Sequence, residues 1–308
     1  MDEIDFSICM MLMWNSRIPY RELAETFNMS VNSIHKRIKS MVNMGIIQNF
    51  NAKISRVYLK VINVVMFGIS KAKNRDELLE KLSEKEYIYN VSYASGNLIY
   101  IHAIIRNLNE LDSLVSFVRK EGEINEPTVG LDSNSPSSGL EDFGDISFSE
   151  LDFLIINALK NNSRKTVSDI AYEVGISAKT VTLHLNRLIE RKLIEFSIDW
   201  YPDKSAIVMS IINLQLNPSA NVDKLKLIEE FRAKSSNKVL FSWIFSNLPN
   251  TMLVLVWTNK MQELQKLETS LRSETIDSVN VTVLLKGMMF STWQDKYLEE
   301  KIKKIEGK

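Results

Sequence analysis

The chain has 308 residues, 45% of them hydrophobic and 25% charged, with a formal net charge of zero. That is ordinary globular composition with room for roughly two to four small domains. Its single cysteine, Cys9, excludes an intrachain disulfide and any multi-cysteine zinc site. The acidic start MDEID is no signal peptide, and the longest apolar run, Val61–Ile69, is far too short to span a bilayer, so a cytoplasmic location is expected.

Asp2–Met13 reads as a helix with Ile4, Ile8, Met11 and Leu12 inward and Cys9 as a small buried apolar residue. Pro19 then opens a short helix carrying Leu23, Ala24 and Phe27, and Asn28 tolerates positive φ in the turn. Ser30 is an N-cap for a longer helix whose inward stripe is Ile34, Ile38, Met41 and Val42. Gly45 ends that helix as a left-handed residue. Helix, turn and basic helix make a helix-turn-helix head. Ile46–Phe50 and Asn51–Arg56 are expected as the two strands of a small wing.

Val57–Ser70 follows as a buried strand, Arg75–Leu82 as a helix, and Tyr87–Ser95 and Leu98–Ile105 as strands around Gly96-Asn97. Leu108–Lys120 is a helix with Leu111, Leu114, Val115 and Val118 inward, and Ile124–Leu131 is a strand. This β-α-β-β-α-β order is ferredoxin-like. Residues 132–145, DSNSPSSGLEDFGD, read as an acidic linker able to reach roughly 45–50 Å when extended.

The series then repeats. At an offset of 147 residues Ser30 meets Ser177, Asp5 meets Asp152, Arg17 meets Arg164 and Ala24 meets Ala171, without a gap. The turn residue becomes Gly175, and the inward stripe becomes Val181, Leu185, Leu188 and Ile189. Glu195–Lys204 is the second wing, with Trp200 and Tyr201. Ala206–Leu216, Val239–Phe245, Met252–Trp257 and Val279–Leu285 are strands; Val222–Ala233 and Met261–Leu271 are helices. A last amphipathic segment, Phe290–Ile305, has no counterpart in the first half and is expected to pack on the core or on another subunit. The fold class is α+β, two winged helix-turn-helix domains (1–56 and 146–204) alternating with two ferredoxin-like domains (57–131 and 205–289), then a C-terminal helix (290–308).

The stretches IDFSI, Asn15-Ser16-Arg17, ELAETFNMS and the Gly45-Ile46-Ile47 exit resemble the Lrp/AsnC (leucine-responsive regulator) transcription factors of bacteria and archaea. So do ELDFLIINALKNNSR, DIAYEVGISAKTV and the Leu193-Ile194 exit in the second half. The resemblance implies ferredoxin-like (RAM-type) domains that dimerise sheet against sheet and place two heads on two DNA half-sites. Here it implies a fused tandem, an intramolecular pseudo-dimer, with further homo-oligomers expected. Many relatives bind an amino acid near the turn joining the second and third strands, often with a Gly-Asp sequence there. This chain has Ser95-Gly96-Asn97 and Asn247-Leu248-Pro249-Asn250, without a carboxylate for an amino group. Gly96 and Asn97 are thus the candidates for an effector site whose ligand is open.

A recognition helix enters the major groove by its N-terminal half. The outward residues of the first are Asn32, Ser33, Lys36, Arg37 and Lys39, with Ser30 at its cap. In the second they are Lys179, Thr180, Thr182, Leu183, Asn186 and Arg187, with Ser177 at the cap. Lys and Arg neutralise phosphates or reach guanine, Asn reads adenine, and Leu183 suits a thymine methyl or a protein partner. Residues 1–60 hold eight Lys/Arg against five Asp/Glu, whereas 148–204 hold eight of each, so the second head is expected to bind more weakly. His35, His102 and His184 form no H-x-x-x-H pair, and no P-loop or dinucleotide fingerprint appears, so no enzyme, metal or cofactor is expected. Sirohaem decarboxylases, similar to the family in architecture but with degraded heads, are the enzyme alternative; a co-regulator docking on protein is the third.

Overall fold

The computed structural model describes residues 1–134, 143, 146–235 and 238–307. Along the chain run α1 (Glu3–Trp14), α2 (Tyr20–Thr26), α3 (Val31–Asn43) and β1 (Ile47–Ile54). Then come β2 (Ile62–Ile69), α4 (Arg75–Ser83), β3 (Ile88–Ala94), β4 (Leu98–Ile105), α5 (Leu111–Glu121) and β5 (Thr128–Leu131). The second half repeats the series: α6 (Glu150–Leu159), α7 (Val167–Val174), α8 (Ala178–Glu190) and β6 (Ile194–Trp200). It continues with β7 (Val208–Leu216), α9 (Lys224–Lys234), β8 (Val239–Ile244), β9 (Thr251–Thr258), α10 (Met261–Ser270) and β10 (Ile276–Met289). Last is α11 (Trp293–Glu306).

These elements gather into two compact units. One holds the described residues of 1–60, 140–204 and 291–308, that is both heads and α11; the other holds those of 61–139 and 205–290.

In the second unit each half adopts the ferredoxin-like strand order, β5-β2-β4-β3 and β10-β7-β9-β8, and β3 pairs antiparallel with β10 to make one eight-stranded sheet. One face of each half is covered by its helices. Leu78, Leu79, Leu82, Leu114 and Val118 from α4 and α5 pack on Val64, Met66 and Ile101. Ile228, Phe231 and Leu264 from α9 and α10 pack on Ile212, Leu214 and Val254. The opposite faces meet each other through Val65, Phe67, Tyr100, Ile211, Phe245 and Leu253. Period-two alternation fills both faces, which is why these strands read as nearly continuous apolar runs.

The free ends of the sheet also meet. Asp132 bridges Phe245, the Ser133 N–H donates to the Ile244 carbonyl at 2.8 Å, and the Ser246 N–H donates to the Leu131 carbonyl at 3.0 Å. Asn247 clamps the join: its carboxamide oxygen accepts from the Leu131 N–H at 2.8 Å and its amide nitrogen donates to the Val129 carbonyl at 2.8 Å. The two ends of the eight-stranded sheet are therefore joined at this corner, which covers part of their edge groups. Gly130 is what lets the Phe245 ring in, since a Cβ there would lie 2.3 Å from the ring.

Asp132 sits at this closure. Burial pushes its carboxyl up to about 6, against the N–H groups of Asn134 and Ile244, which favour the charged form. A carboxyl whose folded value is raised contributes stability that is complete below its unfolded value near 3.8 and lost as pH rises through about 6. Asp132→Asn should therefore stabilise the protein at pH 7 by on the order of 2 kcal/mol. In urea melts the advantage should shrink as pH falls from 6 towards 4; an advantage independent of pH would contradict this account.

Several boundaries differ from the sequence reading. Residues 57–60 turn instead of extending, and β2 starts at Ile62, because Val57, Tyr58 and Leu59 are used as apolar cover for the second head. β5 is confined to Thr128–Leu131. Most of the expected linker, 132–145, lies outside the described residues; of the rest, Asp132–Asn134 close the sheet and Phe143 is buried beside Tyr58 with ring centroids 5.4 Å apart.

Candidate nucleic-acid interface

Each head forms as its local signals dictate. Asn28 and Gly175 take positive φ of 49° and 74° at the turns, and Gly45 takes 70° after α3. The Ser30 hydroxyl accepts from the Ser33 N–H and the Ser177 hydroxyl from the Thr180 N–H, both at 3.1 Å. Ile34, Ile38 and Met41 are buried under α3, and Val181, Leu185 and Leu188 under α8. Ala24 and Ala171 are buried where the helices of each head cross. Cys9 is buried with its thiol 3.4 Å from the Met41 sulfur, and burial, then Asp5, pushes its pKa up, so it is a core residue. Val42 and Ile189, expected inward, are exposed: they lie one position beyond the stripe, at the C-terminal ends of α3 and α8.

The expected wing takes another form. Residues 47–54 run as one strand, and its partner is not a return of the chain at Asn51–Arg56 but β6 of the other head, antiparallel from Ile47↔Trp200 to Ile54↔Ile194. The strand β6 ends at Trp200 and a short turn covers Pro202–Lys204. The exchange carries core with it. Ala52 and Ile54 of β1 are buried in the apolar cluster of the second head, and Phe6 of α1 meets Trp200 of β6 edge-on at 5.2 Å.

A reciprocal clasp reinforces the ladder. The Arg17 guanidinium donates to the carbonyls of Ser163 and Lys165, and Arg164 donates to those of Ser16, at 2.6 Å, and Ile18, at 3.1 Å. Between them the Ser16 and Ser163 hydroxyls are 2.5 Å apart, and both residues are buried. Burial, then the facing Arg164, pulls Arg17 below its ordinary range; burial does the same to Arg164. Both stay charged because a guanidinium cannot be deprotonated at any ordinary pH. Asn49 and Asn51 add bonds to Asp199 at 2.8 Å each. Over the ladder lies α11, with Leu298 and Ile302 in the second head's core, Gln294 donating to the Ile54 carbonyl and Lys53 paired with Asp295 at 2.9 Å.

The outward faces of α3 and α8 remain exposed. On α3, Asn32, Lys36 and Lys39 are exposed and Ser33 is half-buried. On α8, Lys179, Thr182 and Asn186 are exposed, Thr180 is half-buried, and Leu183 is 70% exposed. Thr182 donates to the Ala178 carbonyl of its own helix at 2.9 Å.

Two of the expected cations are instead held within their heads. Arg37 pairs with Asp5 at 2.7 Å and Asp2 at 2.8 Å. Arg187 pairs with Asp152 at 2.7 Å and donates to the Ser147 carbonyl at 2.7 Å. His184, the counterpart of Arg37, takes the other oxygen of Asp152 at 2.8 Å. Burial alone would raise the Asp152 carboxyl, but hydrogen bonds from His184, Ser149 and Arg187 outweigh it and hold the pKa below the usual carboxylate range. Arg187→Ala should thus act mainly on stability, costing about 1–2 kcal/mol, and should leave the salt dependence of any duplex binding unchanged. A melt unaffected by the substitution would contradict that assignment. Sequence spacing alone does not place these acid partners; the coincidence of Asp5 with Asp152 at the repeat offset is the signal that points to them.

Gly96 and Asn97 form a tight turn, both at positive φ, with Arg75 donating to the Asn97 side chain at 3.3 Å. Nothing lies within 4 Å of the place a Gly96 Cβ would take. A hollow of about 240 Å³ lies elsewhere, beside the start of α4, lined by Lys71, Lys73, Asn74 and Lys81 among others. Among the described residues no cluster of metal-ligating side chains appears, and no helix is long and apolar enough to cross a membrane.

Residues 1–48 and 148–195 match the family described as winged helix-turn-helix DNA-binding. The regulatory protein AsnC of Haemophilus influenzae is 28% identical over 119 residues, which is 38% of this chain and 79% of that protein. The HTH-type transcriptional regulator Ptr1 of Methanocaldococcus jannaschii is 29% identical over 122 residues, 39% of this chain and 81% of its own length. Two fifths of this chain thus spans four fifths of a relative, which leaves room for two. A crystal structure of the siroheme decarboxylase NirDL is similar in fold over 98% of this chain and 99% of that one, with TM-score 0.57 at 12% identity; the likeness is of fold alone. Both heads thus match the winged helix-turn-helix DNA-binding family, and each half of the chain, head plus ferredoxin-like part, is similar to one subunit of these regulators, AsnC among them.

Proposed function

We propose that this chain is a sequence-specific DNA-binding transcriptional regulator, and that the two heads of one polypeptide address the two halves of one duplex site as an intramolecular pseudo-dimer. The observation that carries the reading is the clasped head unit: two capped recognition helices with exposed outer faces, held to each other by the β1–β6 ladder. A helix lies in the major groove by such a face. The names of the relatives point the same way.

In this reading Asn32, Lys36, Lys39, Lys179, Leu183 and Asn186 face base edges or nearby phosphates. Ser30, Ser33, Ser177 and Thr180 line the helix N-termini, where backbone dipoles favour a phosphate. Thr182 sits on the outer face and touches the sugar-phosphate backbone. Arg37 and Arg187 support these helices from within rather than reading sequence. The protein works in the cytoplasm, carries no enzymatic activity, forms further homo-oligomers, and takes a small-molecule effector at the Gly96-Asn97 turn.

A gel shift on the DNA upstream of the protein's own gene tests it. Retardation at nanomolar protein, falling steeply between about 50 and 200 mM salt, is the expected result. Equal and weak retardation of every duplex would count against it, and a haem-type absorption band on mixing with sirohaem would move the assignment to the enzyme.

A further inference from the structure

The two heads carry the same docking parts and different reading parts, and we propose that the chain recognises a directional, non-palindromic site with two unlike halves in fixed order. This rests on the regulator reading above. At the 147-residue offset the helix caps are identical, Ser30 and Ser177, and the first-turn hydroxyls Ser33 and Thr180 are alike. Both caps make the same bond at 3.1 Å. Groups of this kind meet phosphates and set the register of a helix on the duplex without sequence information.

Three outward positions that follow differ in side-chain type at each aligned pair. Asn32 becomes Lys179, Lys36 becomes Leu183 and Lys39 becomes Asn186, and all six are exposed. Asparagine pairs with adenine, lysine with guanine or a nearby phosphate, and an apolar side chain with the thymine methyl, so the two helices present different contacts to the bases. In a symmetric homodimer one sequence would supply both helices and the preferred site would be a palindrome. Here the head pair is asymmetric within one polypeptide, and the ladder and the Arg17–Arg164 clasp keep the unlike heads together.

The test is selection from a random duplex pool with the full chain, followed by binding of the selected site and of the two palindromes made by repeating each half. Two unlike halves, and a selected site bound about tenfold or more tighter than either palindrome, are expected. A palindromic consensus, or equal affinity for all three, overturns the inference while leaving the regulator reading intact. Duplex binding without enrichment of any sequence overturns both. The triple variant Lys179→Asn, Leu183→Lys, Asn186→Lys alters only exposed positions. It should shift preference to the palindrome of the first head's half-site; an unchanged preference would remove these positions from the reading.

Discussion

Replacing Lys36 and Lys39 together by alanine should lower affinity for a specific duplex by roughly 10- to 100-fold near 0.1 M salt and reduce the slope of log affinity against log salt by about two. Both side chains are exposed on the outer face of α3, and their α-helical positions remain favourable for alanine, so the fold should be kept. Arg37→Ala is the informative contrast. It removes the pairs to Asp2 and Asp5, which tie α3 to α1, so its first effect should be on the melting temperature. Lys179→Ala should give a loss smaller than the double variant and a slope change near one. A salt slope unaltered by losing both lysines would mean that α3 does not face phosphate.

Gly130→Ala is expected to lower the stability of the protein by about 3 kcal/mol. The new Cβ would lie 2.3 Å from one Phe245 ring carbon and 2.7 Å from another, and the ring is only 2% exposed, so it has nowhere to swing. The intrusion falls at the seam where β5 and β8 meet, so the hydrogen bonds around Leu131, Ser133 and Ser246 should weaken with it. Phe245→Leu in the same chain should recover part of the loss. A double-mutant cycle should therefore show coupling of at least about 1 kcal/mol. A Gly130→Ala protein within 0.5 kcal/mol of the parent would mean that the seam accommodates a methyl group, contrary to the close approach.

Much of this was legible beforehand, and the reasons separate cleanly. Helices of the heads follow from caps, periodic stripes and turn residues, all local, and Ser30, Asn28, Gly45 and Gly175 occupy the roles their chemistry suggests. The ferredoxin-like order follows because most of its strands, such as Ile62–Ile69 and Thr251–Thr258, are apolar runs set apart by helices, whereas β5 is only four residues. What stayed hidden depends on pairing between distant segments. Residues 47–54 alternate well enough to be a strand, but nothing local says that the partner is about 150 residues away instead of the next few. The early turn at 57–60 escaped for the same reason: Val57 and Leu59 look like strand residues until a second head needs covering. At the site, spacing gave the outward positions of α3 and α8 but not which cations were already engaged. Arg37 and Lys36 look alike in sequence; only the approach of Asp2 and Asp5 across the head separates them.

The ladder between β1 and β6 belongs to one polypeptide, and that changes the statistics of assembly. Two separate subunits must find each other, so the fraction of competent heads falls on dilution. Joined end to end, they close as an internal event whose equilibrium does not depend on how many molecules are present. A cell holding only a handful of copies would still hold every one of them with both heads mated, so the supply of paired heads would follow copy number linearly instead of as its square.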